Sequence, residues 1–460
     1  MTIKSLRKIP PIFFIIVGLL IAFGFHRFIN LTENKVVQTT SIINQSVPSR
    51  FSRGENLLIL ENVTEEKKKG IESFTKKNYP EAISFFEQSL RKNPNDPETV
   101  IYLENAQVAS GNPISIAAVV PIGSNLDVAQ EMLRGIAQAQ AEFNSQGGNL
   151  QVQIVNDEND PEITTQVARK LVNDQTIIAV IGSNASNASL AAAPIYQNAG
   201  LVMITPTSTA NELSNFGNHI FRAAPTSNEM AEALAEYTVK TARKKKIAIC
   251  FDSQAPDNVA FKDEFVPALI AQGGTYVDTP CDLFASDFNG ENAINSLISS
   301  GAEALLVAPH IDRLDRAIDL ARANQWKMLL LGTFSLDTKK ITESGQGDLN
   351  GVVLPVPFHH QVASAQTFVS KADRQWGIKI NWRTATSYDA TRAVIEAVTQ
   401  NPDQNRDHVA FALHEPNFAP AGANGNVQFL PSGDRIIKPV LVKMKASPGK
   451  GYYFELLSTE

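Results

Sequence analysis

From residue 113 onward, apolar positions fall into two patterns that alternate at short intervals. "ISIAAVVPI" reads as a buried strand. "AQEMLRGIAQAQAEFNSQGG" then sets Met132, Ile136, Ala139 and Phe143 on one helical face, with Gly147 just past its end. "LQVQIVND" is again a strand, "PEITTQVARKLVND" a helix, "TIIAVIG" a strand, "ASLAAAPIYQNAG" a helix and "LVMIT" a strand. Strand, helix and strand at such spacing predict a parallel sheet with right-handed crossovers. A second series follows "HIFRAAPTSNEMAEALAEYTVKTA", with strands at "KIAICFD", "GTYVDTP", "EALLVAP" and "KMLLLGT". Beyond it, "GVVLPVPF" opens another crossing, "SYDATRAVIEAVTQ" is helical, and "GNVQFLPSGDRIIKPVLVKMK" closes as a hairpin turning at Gly433. The fold class is α/β, in two similar halves.

The first 112 residues break that rhythm. Lys4, Arg7 and Lys8 precede an uncharged apolar run over residues 9–25, about as long as a bilayer core demands. The flank "HRFINLTEN" offers no A-x-A-like cleavage site, so residues 1–30 read as an uncleaved anchor in preference to a signal peptide that is removed. The positive-inside rule puts the basic end in the cytoplasm and everything after residue 30 outside, in the periplasm. Residues 31–60 keep neither period for long and read as a tether. Residues 61–112 return to helical spacing, with Ile71, Phe74, Ile83, Phe86 and Leu90 on one face and two helices meeting at "KKNYPEA". Here the chain resembles a tetratricopeptide repeat, through Gly70, Tyr79, Ala82, Phe86 and Pro94. One such repeat cannot bury its own face, so it must pack on the main domain, a second copy or a protein partner.

Composition narrows the chemistry. The 460 residues are 43% hydrophobic, ample for more than one core. A net charge of -6 and short basic clusters leave no extended positive stripe for nucleic acid. "GSNASNAS", residues 182–189, lacks the Gly-Lys-Ser/Thr ending of a phosphate-transfer loop. No GxSxG elbow occurs, and the seven histidines show no metal-binding spacing; His359 and His360 adjoin a crossing and read as solvated loop positions. These features predict a protein without catalysis, metal or cofactor. "NDENDPE" at 156–162 lacks the glycine and distal glutamate of a calcium loop and reads as a strand-to-helix turn with capping carboxylates. Cys250 and Cys281 lie near the ends of predicted strands, and either pair in an oxidising compartment or are two small buried hydrophobes.

"EMLRGIAQAQAEFNSQGG", "VIGSNASNASLAAAPIYQNAGLVMITPTSTANEL", "HIFRAAPTS", "SYDATRAVIEA" and "GNVQFLPSGDR" together resemble the branched-chain amino acid receptor family of ABC importers, over roughly residues 113–458. The resemblance implies a type I periplasmic-binding fold: two Rossmann-like lobes, about 113–224 with 356–426 and about 225–355 with 427–460. Three crossings near 222–226, 353–357 and 424–428 would join them, with the ligand between the lobes. It maps the carboxylate-binding serine onto Ser186, with the Asn187 and Ala188 N–H groups nearby, and a second anion-holding segment onto Thr207, Ser208 and Thr209. "GSNASNAS" leaves a strand and enters a helix, where unpaired N–H groups favour an anion. Hydroxyls and backbone donors, rather than Lys or Arg, would hold the carboxylate. The family's acidic partner for an α-ammonium falls on Phe334, its second-lobe aromatic near Asp257 and its first-loop aromatic near Val128. Asp257 or Asp337 then supplies the missing charge, or the solute carries no ammonium, or the pocket no longer binds.

These readings predict a membrane-anchored, extracytoplasmic solute-binding protein that presents a small carboxylate-bearing solute, an amino acid first, to an ABC importer permease. The alternative is an anchored sensor or scaffold whose helical repeat recruits a protein partner.

Overall fold

Continuous apolar runs make two parallel sheets. In the first, β1 (Phe51–Ser52), β2 (Ile114–Val120), β3 (Leu150–Asn156), β4 (Ile177–Ile181), β5 (Val202–Thr205) and β6 (Ile220–Arg222) lie in the order β1-β3-β2-β4-β5-β6. Only β1 is antiparallel to its neighbour. Every residue of β2 and β4 is buried, as expected of parallel strands covered by helices on both faces. The second sheet begins with β7 (Lys246–Phe251), β8 (Thr275–Tyr276), β9 (Ala304–Ala308), β10 (Leu329–Gly332) and β11 (Val353–Val356). The chain then returns to the first lobe for the helices Gln366–Trp376, Trp382–Thr399 and Arg406–His414 and the hairpin β12 (Ala421–Gly422) and β13 (Gly425–Asn426). Finally β14 (Val440–Ser447) and β15 (Gly451–Leu456) complete the order β15-β14-β11-β10-β9-β7-β8.

The computed structural model describes residues 47–400, 405–449 and 451–457. The chain divides into Met1–Arg50, whose described part is the short 3-10 turn Val47–Arg50, and Phe51–Glu460. The apolar run at 9–25, read as an anchor, lies outside the described residues; no described helix is long and apolar enough to cross a membrane.

Several sequence expectations change, and one open alternative is resolved. The tether read over 31–60 does not extend past residue 50: Phe51 and Ser52 pair with Val155 and Ile154, and Phe51 and Ile59 are buried. The Ser52 hydroxyl accepts from the N–H groups of Gly54 and Asn56, while Glu98 accepts from Leu58 N at 2.8 Å, so this polar stretch has its backbone satisfied locally. The helical segment, Glu65–Thr75, Tyr79–Lys92 and Pro97–Val108, packs on the first lobe. Asn105 exchanges hydrogen bonds with both backbone groups of Val152 (2.7 and 2.8 Å), and buried Lys67 bridges Asp96 (2.8 Å) and Glu98 (2.6 Å). Within the segment the Phe86 ring lies directly against Gly70, where a Cβ would meet it at 2.5 Å.

The third crossing is also displaced. Residues 424–428 belong to the first lobe, as do 429–435: Arg222 N donates to Gly433 O at 3.0 Å. Gly433 has φ +83, and a Cβ there would stand 2.2 Å from Ile220 O, so glycine alone lets this turn close on β6. The chain crosses only after Arg435. The expected long hairpin is reduced to a single Phe429–Arg435 bridge, and β14 pairs with β11 and β15 instead.

Buried Asp389, on the helix Trp382–Thr399, holds Arg435 at 2.5 Å beside that crossing. In the second lobe Cys250 and Cys281 form a disulfide, with Cα atoms 4.7 Å apart. His359, read as solvated, is buried in the second crossing with a ring nitrogen 3.1 Å from Phe454 O. Burial, with His360 alongside, lowers its pKa to about 4.

Candidate functional site

Loops leaving the carboxyl ends of β4, β5, β7, β9 and β10 converge between the lobes, where open parallel sheets take their ligands. The first lobe contributes Asn184, Ser186 and Thr207; the second contributes Asp257, His310 and Phe334. The space they enclose measures about 20 Å³, room for about one water. Asn211 Nδ2 donates to Glu264 Oε1 at 2.8 Å across the lobes, so the cleft is closed.

The small polar residues of "GSNASNAS" are mostly consumed in shaping their own loop. Gly182 has φ +135 and abuts Val119 O, leaving no room for a Cβ. Asn159, from the "NDENDPE" turn, accepts from Ala185 N at 3.2 Å, and Asp160 of that turn caps the helix Pro161–Asn173. Thr205 and Thr207 hydroxyls donate to the carbonyls of Ser183 (2.9 Å) and Asn184 (2.7 Å), and Ser189 pairs with Ser208 at 2.7 Å. The helix Ser186–Asn198 starts from this braced loop without a side-chain cap at Ala185, and its first residue lines the cleft, where helix N-terminal amides favour an anion.

The expected residues separate accordingly. Ser186 and Thr207 line the cleft, and Ser186 Oγ accepts from Thr209 N at 3.2 Å. Thr209 Oγ1 is buried with no hydrogen-bond partner among the described residues, whereas Ser208 is committed to the loop. Asn187 does not line the cleft; its side chain accepts from Ala188 N at 2.9 Å, which removes that amide from the donors expected for an anion. Asp257 faces His310: burial raises the Asp257 pKa and His310 draws it back down. Burial opposes the His310 imidazolium, but Asp312, Asp257 and Asp252 outweigh it and raise its pKa. Phe334 packs edge-on to Trp382 with ring centroids 5.5 Å apart. Asp337 does not line the cleft; burial raises its carboxyl to about 6, against the pull of Arg383. Val128 is buried and lines a neighbouring cavity of about 380 Å³.

Sequence reasoning missed His310 on the second lobe, and Trp382 and Arg383 at the start of a first-lobe helix capped by Asn381. Arg383 stacks over the Trp382 ring at 4.2 Å and donates to Asp337 O at 2.7 Å across the lobes. Burial lowers its pKa to about 10, with Asp337 and Glu131 pulling it up. A cation in the first turn of a helix opposes the macrodipole, and that local conflict in "NWRTAT" is the signal that could have marked it. Gly135 sets the position of this helix: a Cβ there would stand 2.1 Å from Thr384 O.

The sequence profile of the periplasmic binding protein family matches residues 113–444. The chain belongs to that family. It is 33% identical over 160 residues to the Leu/Ile/Val-binding protein of Citrobacter freundii, a match spanning 34% of this chain and 43% of that protein. It is 24% identical over 337 residues, 71% of this chain and 88% of the relative, to the leucine-, isoleucine-, valine-, threonine-, and alanine-binding protein of Pseudomonas aeruginosa. The crystal structure of an ABC transporter substrate-binding protein from Desulfitobacterium hafniense in complex with Leu is 26% identical with a TM-score of 0.64, covering 75% of this chain and all of that one. The two lobes thus form a type I periplasmic-binding fold, and these relatives are named as binding proteins, not enzymes. The helical segment before residue 113 precedes the matched residues.

Proposed function

We propose that this binding protein works outside the cytoplasm, tethered through the apolar run at 9–25, and delivers a small carboxylate-bearing solute, an amino acid first, to an ABC importer permease. The observation that carries this reading is the convergence of the Ser186 helix N-terminus and Thr207 from one lobe with Asp257, His310 and Phe334 from the other. Ser186 and the first amides of its helix would hold the carboxylate; Thr209, whose hydroxyl lacks a partner among the described residues, stands behind them. Asp257 would meet an ammonium group, taking the part expected of an acid at the Phe334 position. The Cys250–Cys281 disulfide favours an oxidising compartment. Since the closed cleft has room for about one water, solute entry requires the lobes to part at their three crossings.

A thermal-shift screen of the full chain against amino acids and other small carboxylates tests this. Ligand at a hundredfold excess over Kd stabilises the bound state by about 2.7 kcal/mol, a readily visible shift. Stabilisation by one chemical class, lost in Ser186→Ala, is expected. A well-folded protein that no solute stabilises would exclude the receptor reading and turn attention to a sensor or scaffold.

A further inference from the structure

Arg383 is 2% exposed, yet among the described residues it forms no ion pair: Asp337 and Glu131 act on it only through space. Among the described residues its guanidinium makes one hydrogen bond, from Nη1 to the Asp337 carbonyl, and its Nε has no partner. The indole Nε1 of Trp382, beneath the guanidinium, is likewise buried and has no partner among the described residues. A buried guanidinium is ordinarily paired, and an orphaned donor beside an orphaned indole N–H is costly unless something else accepts from them. Arg383 also borders two spaces: the small cleft shared with Ser186 and Thr207, and the cavity of about 380 Å³. The larger space lies within the range of small-ligand pockets, and the smaller has room for little more than one polar group. The larger space is lined by Ile59, Asn62 and Asn95 of the N-terminal segment, so the extension before residue 113 borders the same chamber, and Arg383 stands at its junction with the cleft. The chamber also carries the carboxylates Glu61, Asp96, Asp127 and Glu131.

We propose that Arg383 is the charged anchor for the solute's carboxylate, gripping it against the Ser186 helix N-terminus while the body of the solute occupies the larger cavity under the N-terminal segment. This rests on the receptor reading above and changes how the solute is recognised: a fixed cation, and not hydroxyls and amides alone, selects an anion. A planar guanidinium offers two parallel donors to a carboxylate, which a carboxamide cannot match in charge.

The test is calorimetric titration of the full chain with L-leucine beside L-leucinamide, and succinate beside succinamide, in the wild type, Arg383→Gln and Arg383→Lys. A charge-assisted contact of this kind corresponds to about 10- to 100-fold in affinity. The wild type should prefer the acid of a pair over its amide by at least that factor. Arg383→Gln should lose that preference, and Arg383→Lys should keep part of it. Reading the acid-to-amide ratio within each protein separates recognition from any general loosening of the cleft, and the lysine variant serves if the glutamine one does not fold. Full preference retained in Arg383→Gln would overturn the inference and leave the receptor reading intact. A wild type that binds none of these acids would overturn the inference, and only a failure of the wider thermal-shift screen would overturn the receptor reading with it.

Discussion

Gly135→Ala puts the placement of the site on trial, because two effects of opposite sign compete. In the middle of a helix, Ala is favoured over Gly by about 1 kcal/mol, so at an open position the substitution stabilises. At Gly135 the new methyl would sit 2.1 Å from Thr384 O and 2.7 Å from Tyr388 N, both backbone atoms that no rotamer change can move. Ordinary contact begins at 3.4 Å, so the helix Trp382–Thr399 must retreat by about 1.3 Å, and Arg383 adjoins the point of contact. Overpacking of this kind costs about 1–3 kcal/mol, toward the upper end where backbone must move, which leaves a net loss of up to about 2 kcal/mol after the helical gain. Urea unfolding followed by circular dichroism, with the slope unchanged, would report it as a lower midpoint. A raised midpoint, as at an open helical glycine, would refute the close approach of these two helices and the position it gives Arg383.

Three further outcomes are expected. Cys250→Ser with Cys281→Ser opens a loop of 31 residues and should lower unfolding free energy by about 3–4 kcal/mol, with wild type in reductant behaving alike; an unchanged denaturation midpoint would contradict the disulfide. Asp389→Ala leaves Arg435 buried without its carboxylate and should cost about 3–5 kcal/mol, measured by the same unfolding assay, whereas the double change Asp389→Leu with Arg435→Met should cost less. Asp337 has a folded-state pKa of about 6 against 3.8, so its protonated form is the favoured one: its contribution is full below about pH 4 and is lost as pH rises through about 6, at most about 3 kcal/mol. Relative to wild type, Asp337→Asn should therefore gain stability between pH 4 and pH 8, and parallel pH profiles would exclude that role.

The two α/β lobes were legible because parallel strands buried on both faces leave continuous apolar runs such as "ISIAAVV" and "ALLVA", which no turn chemistry disguises. The Ser186 and Thr207 side of the site was legible for a related reason: strand ends followed by small polar residues mark where helices begin. What sequence could not show is contact between distant segments. Residues 51–60 look like a tether because their satisfaction comes from Glu98 and from edge pairing with β3, neither of which is periodic. The third crossing was read too early because the Gly433 turn is held by Ile220, more than two hundred residues away in sequence. Arg383 is not legible because its meaning lies in the ion pair it does not make among the described residues, and that is visible only once the helix is packed.

The most direct test of solute binding between the lobes is amide hydrogen exchange of the full chain with and without L-leucine, or whichever carboxylate stabilises it. Binding in the cleft should slow exchange together at 186–188 and 207–209 on one lobe and at 257–259 and 334–336 on the other. Protection confined to one lobe, or found only elsewhere, would contradict an interlobe site.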